Sequence, residues 1–253
     1  MKVTFLGTGT SQGIPVIACR CVVCMSLDYR DKRLRTSVLI EQHHTTFVID
    51  TGPDFRQQML RERTGKLDAV VFTHSHKDHT AGLDDVRAFN HLQKRDMPVY
   101  GDKRVLDALQ KEFSYVFSEH KYPGIPSLEL HEVKNQPFVL GDVKITPIEV
   151  MHYKLPVFGY RIDDFTYITD ANYISEEEKG KIKGSKVIVL NALHKDQHIS
   201  HFNLEQAIAL LTELQPQKAY LIHLSHLMGL HSQVSKELPD FIEIAYDGLQ
   251  LTL

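Results

Sequence analysis

No apolar run in this sequence approaches the ~20 residues needed to cross a bilayer. The opening Met1-Lys2-Val3-Thr4-Phe5-Leu6 enters a strand-like pattern without the hydrophobic region of a signal peptide. These two absences give the expectation of a cytoplasmic protein with no membrane partner. A dominant charge is missing as well: 29 Lys and Arg stand against 32 Asp and Glu, a formal net charge of −3. There is no global basic field, so stable nucleic-acid binding is not expected on charge grounds. Cysteine is scarce, with three residues packed at Cys19, Cys21 and Cys24. An odd number so close together reads poorly as a disulfide framework and better as thiolate metal ligation. Repeats, low-complexity tracts and a long linker are also absent. With 253 residues, 42% of them hydrophobic, the chain can bury a sizeable core, and one α/β domain over residues 1–253 is expected.

What is present is a series of short β-rich runs. Val3–Leu6 leads into Gly7-Thr8-Gly9-Thr10, and Ser37–Ile40 and Thr46–Ile49 flank a polar His43-His44 connection, as in a hairpin. Further runs lie at Ala69–Phe72, Pro98–Tyr100, Val143–Thr146, Phe158–Ile162, Phe165–Ile168, Val187–Leu190 and Ala219–Ile222. Helical spacing appears over Phe55–Arg63, Arg104–Phe113 and Leu204–Leu214, where Ala207, Ile208, Leu211 and Leu214 share a face. Hairpins first, helices between and a strand-helix-strand ending predict sheets covered by helices. Phe117–Pro126 is the longest irregular segment, a surface loop or a substrate-facing lid.

Fifteen His are present, and four potential ligands fall within six positions in Thr73-His74-Ser75-His76-Lys77-Asp78-His79. In an extended turn leaving a strand, His74 and His76 point the same way because side chains alternate, so both can reach one ion. Asp78 and His79, as the chain turns into a helix, can reach a second. Imidazole and carboxylate suit divalent zinc, manganese or iron. Asp50 closes the strand Phe47–Ile49, as a strand-end cap or a brace for the site.

This His-x-His-x-Asp-His run resembles the signature of the metallo-β-lactamase superfamily, and the resemblance extends over essentially the whole chain. It implies a four-layer αββα sandwich of two mixed sheets flanked by helices. It also implies three further ligands at strand ends: His152 in Ile148–His152, Asp170 in Tyr167–Asp170 and His223 in Tyr220–His223. His74, His76 and His152 would then hold one divalent ion, manganese or zinc, and Asp78, His79 and His223 the other, with Asp170 bridging. An Asp in the bridging place disfavours β-lactam hydrolysis, since members that open β-lactams typically carry Cys there. Asp50 matches a position that braces the site without binding metal.

Cys19-Arg20-Cys21-Val22-Val23-Cys24 needs one more ligand to complete a tetrahedral structural zinc, and His226 is the obvious donor. The Thr-Gly-Thr-Ser-x-Gly-x-Pro loop at residues 8–15, the three cysteines and the late His-x-x-His together resemble the cyclic phosphodiesterase subfamily of bacterial phosphonate breakdown. That resemblance implies hydrolysis of a small cyclic phosphodiester by a hydroxide shared between two ions, and a possible homodimer. His201, before the Leu204 helix, matches a His placed over the metals, with a catalytic part shared with Asp78; Asn203 beside it is a credible N-cap. Thiolesterase action of the glyoxalase kind shares the ligand set and is not excluded by it, and two other branches of the fold stay open. One is the RNA 3′-processing nucleases, whose substrate-binding arm has no counterpart here; the other is proteins of pyrroloquinoline-quinone biosynthesis, which need a redox-active metal. Gly7-Thr8-Gly9 lacks the Gly-Lys-Ser/Thr of a nucleotide loop and reads as close backbone packing. His194 and His198 carry no assignment, and His43, His44, His91, His120 and His131 read as structural or surface residues.

Overall fold

The computed structural model describes residues 1–119 and 122–253; the expectation for His120, and part of that for Phe117–Pro126, lie outside the described residues. Strands β1 (Lys2–Gly7), β2 (Ser37–Gln42), β3 (Thr45–Ile49), β4 (Ala69–Val71), β5 (Met97–Gly101) and β6 (Leu128–Glu132) form one sheet. Strands β7 (Phe138–Leu140), β8 (Val143–His152), β9 (Leu155–Ile162), β10 (Phe165–Ile168), β11 (Val187–Asn191), β12 (Lys218–Ile222) and β13 (Ile242–Ile244) form a second, while β14 (Gln250–Thr252) returns to pair with β1. The orders are β14-β1-β2-β3-β4-β5-β6 and β13-β12-β11-β10-β9-β8-β7. Each sheet is antiparallel through its hairpins and parallel beyond them: β3 to β6 in the first, β10 to β13 in the second.

Helices α1 (Phe55–Glu62), α2 (Lys77–Thr80), α3 (Arg87–Gln93) and α4 (Lys103–Glu112) follow the strands of the first sheet, and α5 (Glu176–Ile182), α6 (Leu204–Leu214) and α7 (His231–Val234) those of the second. Three apolar layers account for the stack. Between the sheets lie Phe5, Ile40, Phe47 and Ile49 against Tyr160, Phe165, Tyr167 and Ile222. Outside the first sheet, Leu39, Val48 and Val70 meet Phe55, Met59, Val105 and Leu109. Outside the second, Ile168, Ile188 and Leu190 meet Ile182, Ala207 and Leu211. The result is the αββα sandwich. Central strands such as Phe47-Val48-Ile49 are apolar at every position because both faces are buried, which is why they read as runs and not alternations. Each such large side chain contributes about 1.5–3 kcal/mol on burial.

Strands β6, β7, β13 and β14 went unread in the sequence for a physical reason. They are the four edge strands of the two sheets, three to five residues long, with mixed exposure that gives no periodic signal. The strand-helix-strand ending is therefore followed by two more strands. Helix α6 spans the anticipated residues, its N-terminus closed by a capping box between Asn203 and Gln206. The described part of Phe117–Pro126 contains no strand, and Tyr122 within it is 80% exposed. No helix among the described residues is long and apolar enough to cross a membrane.

Candidate metal centre

The carboxyl ends of the central strands of both sheets meet along one rim, where open α/β sheets place their ligands. Asp50 follows β3, Thr73 to His79 follow β4, His152 ends β8, Asp170 follows β10 and His223 follows β12. Asp50, Asp170 and His223 all adopt left-handed backbone conformations, with φ of 65°, 58° and 56°. Non-glycine residues held this way concentrate at functional sites, because the turn that costs energy is the one that swings the side chain into the crevice. Gly52 admits the second layer of the rim: a Cβ there would lie 2.1 Å from the Asp78 carbonyl oxygen, so only glycine lets the loop after β3 lie against α2.

Two groups form at the rim, His74–His76–His152 and Asp78–His79–Asp170–His223, the ligand atoms within each lying no more than 4.8 Å apart. His74 Nε2 is 3.1 Å from His76 Nδ1. His79 Nε2 is 3.2 Å from Asp78 Oδ2 and 3.3 Å from Asp170 Oδ2, and His223 Nδ1 is 3.2 Å from Asp170 Oδ2. Donors sharing an ion at arms of about 2.0–2.2 Å stand roughly 3.0–3.5 Å apart, so both groups fit a metal site.

Hydrogen bonds on the far side of three rings fix which nitrogen is bare. His79 Nδ1 donates to Asp50 Oδ2 at 2.7 Å. His152 Nδ1 donates to the Ser200 carbonyl at 2.9 Å. The Thr73 hydroxyl gives its one proton to Asp50, so at 3.0 Å it accepts from His74 Nδ1. Each ring thereby turns its Nε2 inward, a lone pair whenever the ring is neutral. Buried His79 Nε2 has no hydrogen-bond partner among the described residues. An Nε2 facing two carboxylate oxygens requires positive charge between them, a proton on the ring or a metal ion in its place.

The charges agree. Burial opposes a charged His79, but Asp170, Asp50 and Asp78 outweigh it and raise its pKa well above the ordinary histidine value. Burial works against ionised Asp170 too, yet His223 and His79 hold it well below the ordinary carboxylate range. Asp78 is lowered in the same way, chiefly by His79 against the pull of burial. Burial drives His74, His76 and His223 toward the neutral form that binds metal. At Asp50 burial pushes the carboxyl up, offset by His79 and by Thr73.

Of the other anticipated residues, His201 is buried over the two groups, its ring centroid 4.7 Å from that of His152 and 4.9 Å from that of His223. Its Nδ1 stands 3.9 Å from Asp170 Oδ1 without a hydrogen-bond partner among the described residues. Burial, then the crowding of a second imidazole at His223, push it down to about 3. His198, exposed, lies 5.2 Å from His201 between ring centroids. His43, His44 and His91 are exposed, and His131 stacks on Tyr100 away from the rim. Three contributors were missed in the sequence: the Ser200 carbonyl, the Thr73 hydroxyl, and Thr10, whose Oγ1 is 3.0 Å from His223 Nε2. Only Thr73 and Ser200, each beside an assigned His, left any sequence clue.

The cysteine loop forms a separate group. Sγ of Cys19, Cys21 and Cys24 lie 3.3, 3.4 and 3.6 Å from His226 Nδ1. A tetrahedral zinc with arms of about 2.3 Å to sulfur and 2.0–2.1 Å to nitrogen sets these atoms about 3.5 Å apart. Backbone N–H groups of Val16 and Cys24 donate to Cys24 and Cys21 sulfur, as suits thiolates. Gly9 ties the same N-terminal loop to the His223 strand by bridging Leu224 and, on the other side, Arg35. The anticipated close packing of this loop is seen at Gly7, where a Cβ would meet the Arg35 carbonyl oxygen at 1.9 Å.

A model of the family described as beta-lactamase superfamily domain matches residues 45–224, which include every His and Asp of the two rim groups. The chain belongs to that superfamily. Its likeness within the superfamily is to the PhnP family: the solved structure of a diphosphatase from that family superimposes with a TM-score of 0.94 at 34% identity, covering 100% of this chain and 97% of that one. An octanoyltransferase of Porphyromonas gingivalis is 41% identical over 253 residues, 99% of this chain and 51% of that protein. A ribonuclease Z of Macrococcus caseolyticus is 26% identical over 170 residues, 64% of this chain and 49% of that protein. The chain spans about half the length of the curated relatives it matches.

Proposed function

We propose that this chain is a metal-dependent hydrolase that cleaves a small phosphodiester, with a cyclic phosphodiester of the phosphoribosyl type as the expected substrate. The observation that carries the reading is the set of three imidazoles, His74, His79 and His152, whose outer nitrogens are held by acceptors so that their lone pairs converge on two adjoining groups. His74, His76 and His152 would hold one divalent ion, Asp78, His79 and His223 the other, and Asp170 would stand between them. Bound there, manganese or zinc would supply a nucleophile from water at neutral pH and draw off charge from phosphate oxygens. Cys19, Cys21, Cys24 and His226 would hold a structural zinc that ties the N-terminal loop to the strand bearing His223.

The protein's own part is positioning. Asp50, acting through His79 and Thr73, keeps both groups in register. Neutral His201, buried above them, offers a ring N–H to a phosphate oxygen or to the departing alkoxide. Asp78 combines metal binding with a carboxylate at the edge of the reaction space. The relatives' names diverge. Diphosphatase and ribonuclease Z both describe attack at phosphorus. Octanoyltransferase names a protein of which this chain matches only 51%, and the rim group of His and Asp offers no Ser, Cys or Lys nucleophile for acyl transfer.

The test is turnover of a cyclic ribose phosphodiester and of an aryl phosphodiester by protein reloaded with manganese or zinc. Turnover that is lost in His201→Ala with metal content unchanged supports the reading; full activity of that variant removes His201 from the mechanism.

A further inference from the structure

Beside the two rim groups opens a cleft of about 550 Å³, within the range of small-molecule sites, about 300–1,000 Å³. His76 and His152 form its floor, and its walls are the hairpin tip Tyr153-Lys154 and Ile199. The tip has an unusual residue choice. His152 pairs with Leu155, so Tyr153 and Lys154 alone make the turn. Tyr153 sits at φ 57°, in the first central position of a two-residue turn, where a positive φ is ordinarily supplied by glycine. An L-residue there is strained, because its Cβ crowds the following carbonyl oxygen. The surroundings hold it in place: Tyr153 N–H donates to Asn172 Oδ1 at 2.7 Å, and Asn172 Nδ2 donates to the Ile199 carbonyl at 3.2 Å, so one side chain, two residues past Asp170, links both walls.

What the strained tip presents is informative. Tyr153 is 48% exposed and Ile199 65% exposed, giving apolar walls. The exposed Lys154 ammonium lies 5.3 Å from the Tyr153 ring centroid and pairs with no carboxylate among the described residues. An uncompensated cation held on an aromatic face at the mouth of a phosphate-cleaving centre is a receptor for a second negative charge.

We propose that Tyr153 and Lys154 form a specificity subsite that selects substrates bearing a second, non-reacting anionic group, a phosphate monoester or a carboxylate, a few bonds from the scissile phosphate. This rests on the phosphodiesterase reading above for its catalytic part, and the binding arm below is independent of it. The preference expected is about tenfold or more, the size of one charge-assisted contact at a partly exposed site.

In the turnover arm, 4-nitrophenyl phosphodiesters whose second ester group ends in a hydroxyl, a carboxylate or a phosphate monoester are compared in the metal-loaded protein. The anionic members should show a KM about tenfold lower at similar kcat, and Lys154→Ala should erase that gap while leaving the hydroxyl member unchanged; whichever anion shows the larger gap identifies the group. Tyr153→Gly should lose the preference while melting at the same or a higher temperature, because the turn strain is relieved. In the binding arm, calorimetry compares propane-1,3-diyl bisphosphate with propyl phosphate. The bisphosphate should bind about tenfold tighter to the native protein and no tighter to Lys154→Ala. Equal binding of the two by the native protein overturns the subsite. Absence of turnover with the binding preference intact overturns the phosphodiesterase reading alone.

Discussion

Asp50 Oδ2 lies 2.7 Å from His79 Nδ1, both groups wholly buried, and the same carboxylate accepts the N–H and hydroxyl of Thr73, whose oxygen in turn accepts from His74. One carboxylate thus sets the tautomers of a ring in each rim group. Asp50→Asn should therefore lower metal occupancy at both positions, with affinity reduced about 10- to 100-fold, and turnover should fall with it. Metal content after dialysis against a graded chelator measures this. An unchanged chelation curve would show that Asp50 only caps its strand.

Asp170 Oδ2 lies within 3.3 Å of both His79 Nε2 and His223 Nδ1, and its carboxylate also groups with His152 and His201 within 4.8 Å. Its removal leaves those imidazoles without the anion that gathers them. Asp170→Ala should abolish turnover and bind fewer ions in the rim groups. If both metals and full activity persist, its assignment between the ions is wrong.

The cysteine group predicts a separable defect. Cys24→Ser and His226→Ala should each lose one equivalent of zinc and at least about 2 kcal/mol of stability, since binding free energy at such sites is folding free energy. For a chain of this size that is a fall of roughly 4–8 °C in melting temperature. Retention of all zinc in both variants would contradict a four-ligand centre.

A pH dependence arises away from the metals. Arg33, a donor only, reaches His231 Nδ1 at 3.1 Å, so that nitrogen must be unprotonated. Burial and then the Arg33 charge push His231 down to about 4, against about 6.5 in the unfolded chain. As pH falls the unfolded chain takes up the proton first. The stability from the neutral ring is complete above about 6.5 and is lost progressively toward pH 4, by about 2 kcal/mol after allowing for partial solvation. His231→Gln keeps an acceptor for Arg33 and should flatten this part of the profile, read as the difference between the urea midpoints of the two proteins at pH 7.5 and 5.0. Parallel profiles would exclude the Arg33–His231 contact as the source.

The sequence was most legible where chemistry is dense. His74, His76, Asp78 and His79 need no fold to be noticed, and the cysteine spacing invites a fourth ligand; the fold gathers both sets. His152, Asp170 and His223 are single residues at strand ends that only a family pattern singles out. What joins them, the left-handed backbone at Asp50, Asp170 and His223, is tolerated by Asp and His but common to many turns, and it is the sheets around it that impose it here. The central strands were readable because both faces are apolar. Edge strands such as Gln250–Thr252 were not, since their pairing is decided by β1, nearly the whole chain away. The Tyr153-Lys154 tip was invisible for the opposite reason: its turn residues contradict the usual turn chemistry.

The most direct test of the account is a metal titration of chelator-treated protein whose cysteine group has been loaded with zinc, with hydrolysis of a cyclic ribose phosphodiester followed as manganese or zinc is added. The account predicts a rate near zero at the start that rises and levels off at two equivalents per chain. Two equivalents bound with no phosphodiester cleaved, or full cleavage before any metal is added, would contradict it.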